Sequence, residues 1–247
     1  MKRILFTLLL TIPLTLWGQG WGQTYNNGIG TSVVECSDGN FLVGCLSSVL
    51  LKVDESGELI WSNNIGLQVL DIKKINEFDV GILGYVDESI LVLKVINENG
   101  DLIWDLDLGY VNVHINHVDF VVDNNNNLFV VSLGGGDGVY LYKVSNDGSL
   151  VFQEYYSEIS PGVGRGCSII QLSDNNYMIG LTNQSVDEEG DFFVMKFNGE
   201  GDTIFTKNFN KYETQHLLSI IEDQNNEIIL TGFNENNNPM GNNHYFK

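Results

Sequence analysis

The chain has 247 residues, enough for one large all-β domain or two small ones. Hydrophobic content of 43% and aromatic content of 11% exclude a disordered polymer, and only 3 prolines leave glycine and asparagine to make the turns. The formal net charge of −20 argues against nucleic acid and anionic membranes as partners, because the whole field repels polyanions.

The first element is a targeting segment. Met1-Lys2-Arg3 is a basic head, Ile4 to Leu16 an apolar run, and Gly18 a small residue before a cleavage point. Residues 1–19 therefore have the form of a secretory signal peptide. The apolar run is near 13 residues, short of the roughly 20 that span a bilayer, so no membrane span is expected. The mature chain, residues 20–247, is expected to be exported: secreted, at the cell surface or periplasmic. Without Lys2 and Arg3, ten basic residues face 32 acidic ones, a net of −22.

After this segment one figure repeats. Lys52…Gly57…Trp61 reads as a strand ending in lysine, a tight turn and a strand carrying an aromatic. It returns as Lys94…Gly100…Trp104, Lys143…Gly148…Phe152 and Lys196…Gly201…Phe205, with lysine-to-aromatic steps of 9, 10, 9 and 9. Ahead of each lysine stands a hairpin with a polar turn: Ser32–Gly44, Asp71–Gly84, Asp119–Ser132, Ser168–Gly180 and Ser219–Gly232. Each unit supplies four strands, a to d, in 40–50 residues. That is the period of a β-propeller blade, whose sheet has two apolar faces and buries both only against neighbours. Five blades are expected, over residues 28–66, 67–109, 110–156, 157–210 and 211–247.

The fifth unit stops after its c strand at Lys247, whereas Trp21-Gly-Gln-Thr-Tyr25-Asn26 matches Trp61-Ser-Asn-Asn-Ile65-Gly66 and stands alone as a d strand. The spacing predicts that Trp21–Asn26 closes the last blade, giving a monomeric ring. The alternative is a fragment of a larger propeller. Cys36, Cys45 and Cys167 are expected to be buried and unpaired; a two-residue turn at Asp38-Gly39 would put Cys36 opposite Phe41.

The blades resemble repeats of exported Gram-negative proteins associated with type IX secretion, through Ser173-Asp-Asn-Asn-Tyr177, Leu93-Lys94, Asn99-Gly100, Trp104 and Gly109. The resemblance implies a propeller and an extracellular setting and names no activity. A weaker similarity, Asp54…Gly57…Trp61, is to quinoprotein-like propeller repeats. Those enzymes often pair adjacent cysteines at the cofactor, and no two cysteines here are adjacent. No cofactor is expected.

In a propeller the d-to-a and b-to-c connections share the channel-mouth face. They supply Gln68, Tyr85–Ser89, residues 110–117, 134–138, 157–166, 183–190, 211–216 and 234–243. The longest belong to blades 4 and 5, so a site is expected on that side. The speculative ligand-binding set at the mouth is Asp71, Asp119, Arg165, His216 and His117, suited to a small polar ligand, a glycan or a protein. Asp71 and Asp119 begin equivalent strands of adjacent blades, so they also form the one carboxylate pair on which a glycan-acting enzyme could be built. The blander role for the strand-start set Ser32, Asp71, Asp119, Ser168 and Ser219 is to satisfy strand-end backbone groups. His114 and His117 fall on opposite faces of a strand, which argues against a shared metal ion. Asp123-Asn-Asn-Asn-Asn127 begins like a calcium loop but has Leu128 where glycine is required. No nucleophile motif or phosphate loop is present. The expectation is a non-enzymatic binding or scaffold module.

Overall fold

The computed structural model describes residues 22–25, 28–87, 89–110, 118–133, 138–159, 167–183, 190–209, 215–234 and 243–246. The expected signal peptide lies outside them, as do Trp21 and Asn26. The described residues form nineteen strands in five antiparallel sheets. Blade 1 is β1 (Gly30–Glu35), β2 (Phe41–Cys45), β3 (Val49–Val53) and β4 (Leu59–Asn64). Blade 2 is β5 (Gln68–Lys74), β6 (Asp79–Val86), β7 (Ile90–Asn97) and β8 (Leu102–Tyr110). Blade 3 is β9 (Val118–Val122), β10 (Leu128–Leu133), β11 (Val139–Val144) and β12 (Leu150–Tyr156). Blade 4 is β13 (Cys167–Gln171), β14 (Tyr177–Asn183), β15 (Asp191–Phe197) and β16 (Thr203–Phe209). Blade 5 is β17 (Gln215–Glu222), β18 (Ile228–Asn234) and β19 (Asn243–Phe246).

Each sheet runs in simple meander order, and the first strands face one another in sequence: β1 against β5, β5 against β9, β9 against β13, β13 against β17. The result is a propeller of four-stranded blades whose last sheet shows three strands among the described residues. No helix among the described residues is long and apolar enough to cross a membrane.

Burial follows from this radial stacking. β10 and β14 are buried at every position, as strands covered on both faces must be, whereas β4, β12 and β16 at the rim are largely exposed. The core is a series of apolar layers between consecutive blades. Leu42 and Leu50 of blade 1 meet Val69, Ile72 and Ile82 of blade 2. Phe129 and Leu141 of blade 3 meet Tyr177, Ile179 and Met195 of blade 4.

The a–b turns of blades 1, 3, 4 and 5 share one geometry, and it corrects the expected register. Cys36 N donates to Asn40 O and Gly39 N to Cys36 O, so the loop has three residues with Gly39 at φ +79°. Glu35, not Cys36, therefore pairs with Phe41. A type I turn closed by a left-handed residue is the three-residue solution, and it explains the Asn and Gly richness. Asn126, Asn175 and Asn226 hold the left-handed position at φ 61–64° in three other blades. Cys36, Cys45 and Cys167 are free and buried, as expected.

The apparent calcium loop belongs to the same turn. Asp123 Oδ1 accepts the amides of Asn125 and Asn127. Asn97 and Asn198 accept the same pair of amides, two and four residues on, in the c–d turns of blades 2 and 4. A neutral amide does the same job, so the role is hydrogen-bond acceptance within the turn rather than cation binding.

Candidate functional site

Of the places on the described surface where polar side chains gather from more than one blade, two lie among the positions singled out for a site. One is the centre, where the strand starts converge. Ser32 Oγ donates to Asp71 Oδ1 at 2.8 Å, from blade 1 to blade 2. Lys73 Nζ lies 3.2 Å from Asp71 Oδ2 and 2.5 Å from Asp119 Oδ1, joining blade 2 to blade 3. Asp119 Oδ2 accepts the Ile169 amide of blade 4 at 2.9 Å. A polar belt thus runs through four blades. Lys73 also donates to the Phe120 carbonyl and lies 4.9 Å from the centre of the Phe120 ring.

The belt decides what Asp71 and Asp119 can do. Burial raises the Asp119 carboxyl above the ordinary aspartate value, against the pull of Lys73. Burial opposes the Lys73 ammonium too, but Asp119 and Asp71 outweigh it and raise its pKa. An acid–base pair for glycoside hydrolysis needs space between the carboxyl groups for a sugar and its attacking water or nucleophile. Here one ammonium bridges them. Sequence reasoning brought Asp71 and Asp119 together and missed Lys73, although Lys73 stands two residues after Asp71 and so shares its strand face. His216 is buried and stacks on Phe233 with ring centroids 4.5 Å apart. Arg165 and His117 lie outside the described residues.

The other place is a polar hollow of about 620 Å³ between blades 1 and 2. Its walls come from the d-to-a and b-to-c connections, the face where a site was expected. Ser47 and Ser48 come from one b-to-c turn, Tyr85 and Asp87 from the next, and Asn64, Gly66 and Gln68 from the d-to-a connection. Ser48 and Asp87 sit at φ 63° and 52°, and Gly66 at φ 68°, the left-handed geometry of short turns. Amide and hydroxyl groups from three connections therefore converge with a single carboxylate. Gln68 and Tyr85–Ser89 were placed at the mouth by position, but the expected side was that of blades 4 and 5, whose longest connections fall outside the described residues.

Two further features are accounted for by the fold. Cys36, Asp38 and Glu98 approach within 4.8 Å, a metal-like grouping. Lys52 binds Asp38 at 2.7 Å, Lys74 lies 3.2 Å from Glu98, and Ser37 donates twice to Glu98. Burial, with Glu98 beside it, pushes the Cys36 thiol up to about 11. A protonated thiol and two ammonium-neutralised carboxylates do not make a cation site. An apolar groove of about 340 Å³, lined by Met178, Val194, Phe205, Phe209, Ile228 and Leu230, lies between blades 4 and 5. It sits beside β19, which pairs with Leu230 through Phe246.

No protein-family model matches the sequence, and no curated protein matches it. Solved structures match the fold. The extracellular domain of a hybrid two-component system from B. thetaiotaomicron aligns at 15% identity and a TM-score of 0.55, over 91% of this chain and 29% of that one. The Dos1 propeller aligns at 14% identity and 0.55, over 89% of this chain and 58% of that one. BBS1N, solved in complex with ARL6DN, aligns at 9% identity and 0.55, over 84% of this chain and 61% of that one. The chain thus spans less than two thirds of each of these three structures. The blade geometry and these likenesses together make the fold a β-propeller.

Proposed function

We propose that the chain is an exported, non-catalytic binding module that takes a small neutral, hydroxyl-rich ligand of the glycan class in the hollow between blades 1 and 2. The observation that carries this reading is the convergence of Ser47, Ser48, Asn64, Gln68 and Tyr85 on one hollow. Amides and hydroxyls both donate and accept, which suits the alternating hydrogen-bond character of a sugar. The net charge of −20 disfavours anionic ligands. Export rests on the expected signal peptide and on the likeness to an extracellular domain. The bridged Asp71–Lys73–Asp119 arrangement weighs against a catalytic carboxylate pair at the centre.

The test is amide chemical-shift mapping of residues 20–247 against a panel of neutral mono- and oligosaccharides. At least one should shift Ser47, Ser48, Gln68 and Tyr85 together. Gln68→Ala should weaken that ligand about tenfold, the equivalent of 1.4 kcal/mol, without lowering Tm. Shifts confined to other blades, or none across the panel, would overturn the site.

A further inference from the structure

We propose that a second hollow, between blades 3 and 4, binds a small zwitterion of the α-amino acid class, with Lys143 taking its carboxylate and Glu200 its ammonium. The hollow measures about 400 Å³ and opens among the a–b turns of both blades and the c–d turn of blade 4. These turns lie at the opposite end of the strands from the channel-mouth connections. The hollow shares no residue with the one between blades 1 and 2, so the two readings stand or fall separately.

The first observation is a lysine that lacks the partner its copies have. Lys52, Lys143 and Lys196 pair across their sheets with Leu42, Phe129 and Met178. Each of those residues stands two after the one that closes the a–b turn, Asn40, Asn127 or Asn176. The three lysines therefore occupy one position. The same turn hydrogen bonds put Asp38, Asn125 and Asp174 at one position as well. Asp38 binds Lys52 at 2.7 Å and Asp174 binds Lys196 at 2.5 Å. Asn125 has no charge to offer, and no carboxylate forms an ion pair with Lys143 among the described residues.

Lys143 keeps the rest of the arrangement. Its Nζ donates to Gly199 O at 2.8 Å, as Lys52 does to Glu98 O, and lies 5.2 Å from the centre of the Phe129 ring. The ammonium is thereby held in the wall of the hollow with N–H donors to spare. Blades 1 and 4 show what fits them: a carboxylate oxygen.

The acids of the hollow do not serve. Buried Asp123 accepts the Asn125 and Asn127 amides on Oδ1, and the Asn127 side chain and the Tyr177 hydroxyl on Oδ2. Asp174 is held by Lys196. Glu200 is exposed and has no ion-pair partner among the described residues. Two unmatched charges of opposite sign thus line one hollow. The charge of the whole chain then selects among carboxylate ligands. A net anion approaches against a formal charge of −20, whereas a zwitterion carries no net charge and leaves each end to its local partner. The wall between is amide, with Asn124 donating to Asn175 across the blade interface at 3.5 Å. Amides donate and accept, so a polar side chain is matched better than an apolar one.

The test is amide chemical-shift mapping of residues 20–247 against the common free amino acids, then against the N-acetyl and carboxyamide derivatives of the tightest binder. Binding here should shift Asn125, Lys143, Gly199 and Glu200 together. Each derivative lacks one of the two charges and should bind at least about tenfold more weakly. Asn125→Asp restores the carboxylate that blades 1 and 4 possess. It should abolish binding with Tm unchanged or raised, an outcome that a merely unfolded variant cannot give. Lys143→Gln should abolish binding as well. The inference is overturned if no amino acid shifts these residues, if either derivative binds as well as its parent, or if Asn125→Asp binds undiminished.

Discussion

Blades 1 and 2 send their equivalent lysines in opposite directions. Lys52 of β3 reaches forward to the carbonyl of Glu98 in blade 2 at 3.1 Å. Lys94 of β7 reaches back to the carbonyl of Ile65 in blade 1 at 3.3 Å. The cause is where each lysine stands relative to a bulge that keeps its place, five residues before the turn glycine, in both blades. In blade 1 the register shifts after Lys52, so Lys52 pairs with Trp61. In blade 2 it shifts after Val95, so Trp104 pairs with Val95 and Lys94 falls opposite Asp105. A one-residue displacement along a strand turns a side chain to the other face. The longer lysine-to-aromatic step of blade 2, ten residues instead of nine, is the trace of this in the sequence.

The receiving end does not change. Lys143 of blade 3 donates to Gly199 O of blade 4, two residues before Gly201, as Glu98 stands two before Gly100. At the blade 2–3 interface the equivalent carbonyl is Asn146 O, two before Gly148, and it accepts the Trp104 indole N–H at 3.1 Å. Each turn glycine lies under the aromatic of the previous blade. A Cβ would come within 3.2 Å of Trp61 at Gly100, 2.7 Å of Trp104 at Gly148 and 3.1 Å of Phe152 at Gly201. The interface therefore specifies a glycine and a carbonyl, and the donor varies between lysine and tryptophan.

The same two interfaces differ most at the centre, and the largest expected effect lies there. Blade 1 meets blade 2 through a serine hydroxyl on Asp71, whereas blade 2 meets blade 3 through an ammonium held by two carboxylates. Lys73→Met leaves Asp71 and Asp119 facing each other unneutralised. The expected loss is about 2–3 kcal/mol, the low side of breaking a buried pair because Lys73 is one-third exposed. Ser32→Ala removes one hydrogen bond to a carboxylate and costs about 1 kcal/mol. Urea midpoints measure both. Equal losses would mean that the belt does not act as an ion pair.

The next test returns to the lysines. Lys52 is 5% exposed and binds both Asp38 and the Glu98 carbonyl, so Lys52→Met should cost about 1.5–3 kcal/mol. Lys94 is 17% exposed and lies 3.7 Å from an exposed Asp105, so Lys94→Met should cost less than about 1 kcal/mol. If the two variants melt alike, the forward reach of Lys52 contributes nothing beyond a surface pair.

These contrasts mark where the sequence could be read. The lysine-to-aromatic ruler located every c–d hairpin, because strand ends and turns are set locally by a few residues. What it left unread is the face each lysine takes, which depends on whether the lysine or the residue after it directly precedes the bulge. The Asp123 turn resembled a calcium loop because aspartate serves both roles; only the equivalent Asn97 and Asn198 separate them. Asp71 and Asp119 were legible as a pair, and the cation between them was not. The hollow between blades 1 and 2 is assembled from three connections, of which Gln68 and the Tyr85–Ser89 turn were placed on the mouth face by position, while Ser47, Ser48 and Asn64 carried no such signal.

The smallest effect compares two copies of one ion pair. Asp38 is held at about 2 by its bond to Lys52, and Asp174 at about 2 by its bond to Lys196. An unfolded aspartate titrates near 3.9. Each pair therefore adds stability above about pH 4 that is lost as pH falls through 2. Both carboxylates are nearly half exposed, so each contribution is below about 1 kcal/mol. The pairs are not equal, because their lysines differ. Releasing Asp38 strands an ammonium that is 5% exposed, whereas Lys196 is 19% exposed and turns to water at less cost. Asp38→Asn should thus lower Tm at pH 5 more than Asp174→Asn does. Both variants should converge on the unsubstituted protein as pH falls below about 2, where the carboxyls they replace become protonated. Thermal melts from pH 5 down to below pH 2 measure this. A larger loss for Asp174→Asn would show that the pair at blade 4, not the forward-reaching lysine of blade 1, is the stronger clamp.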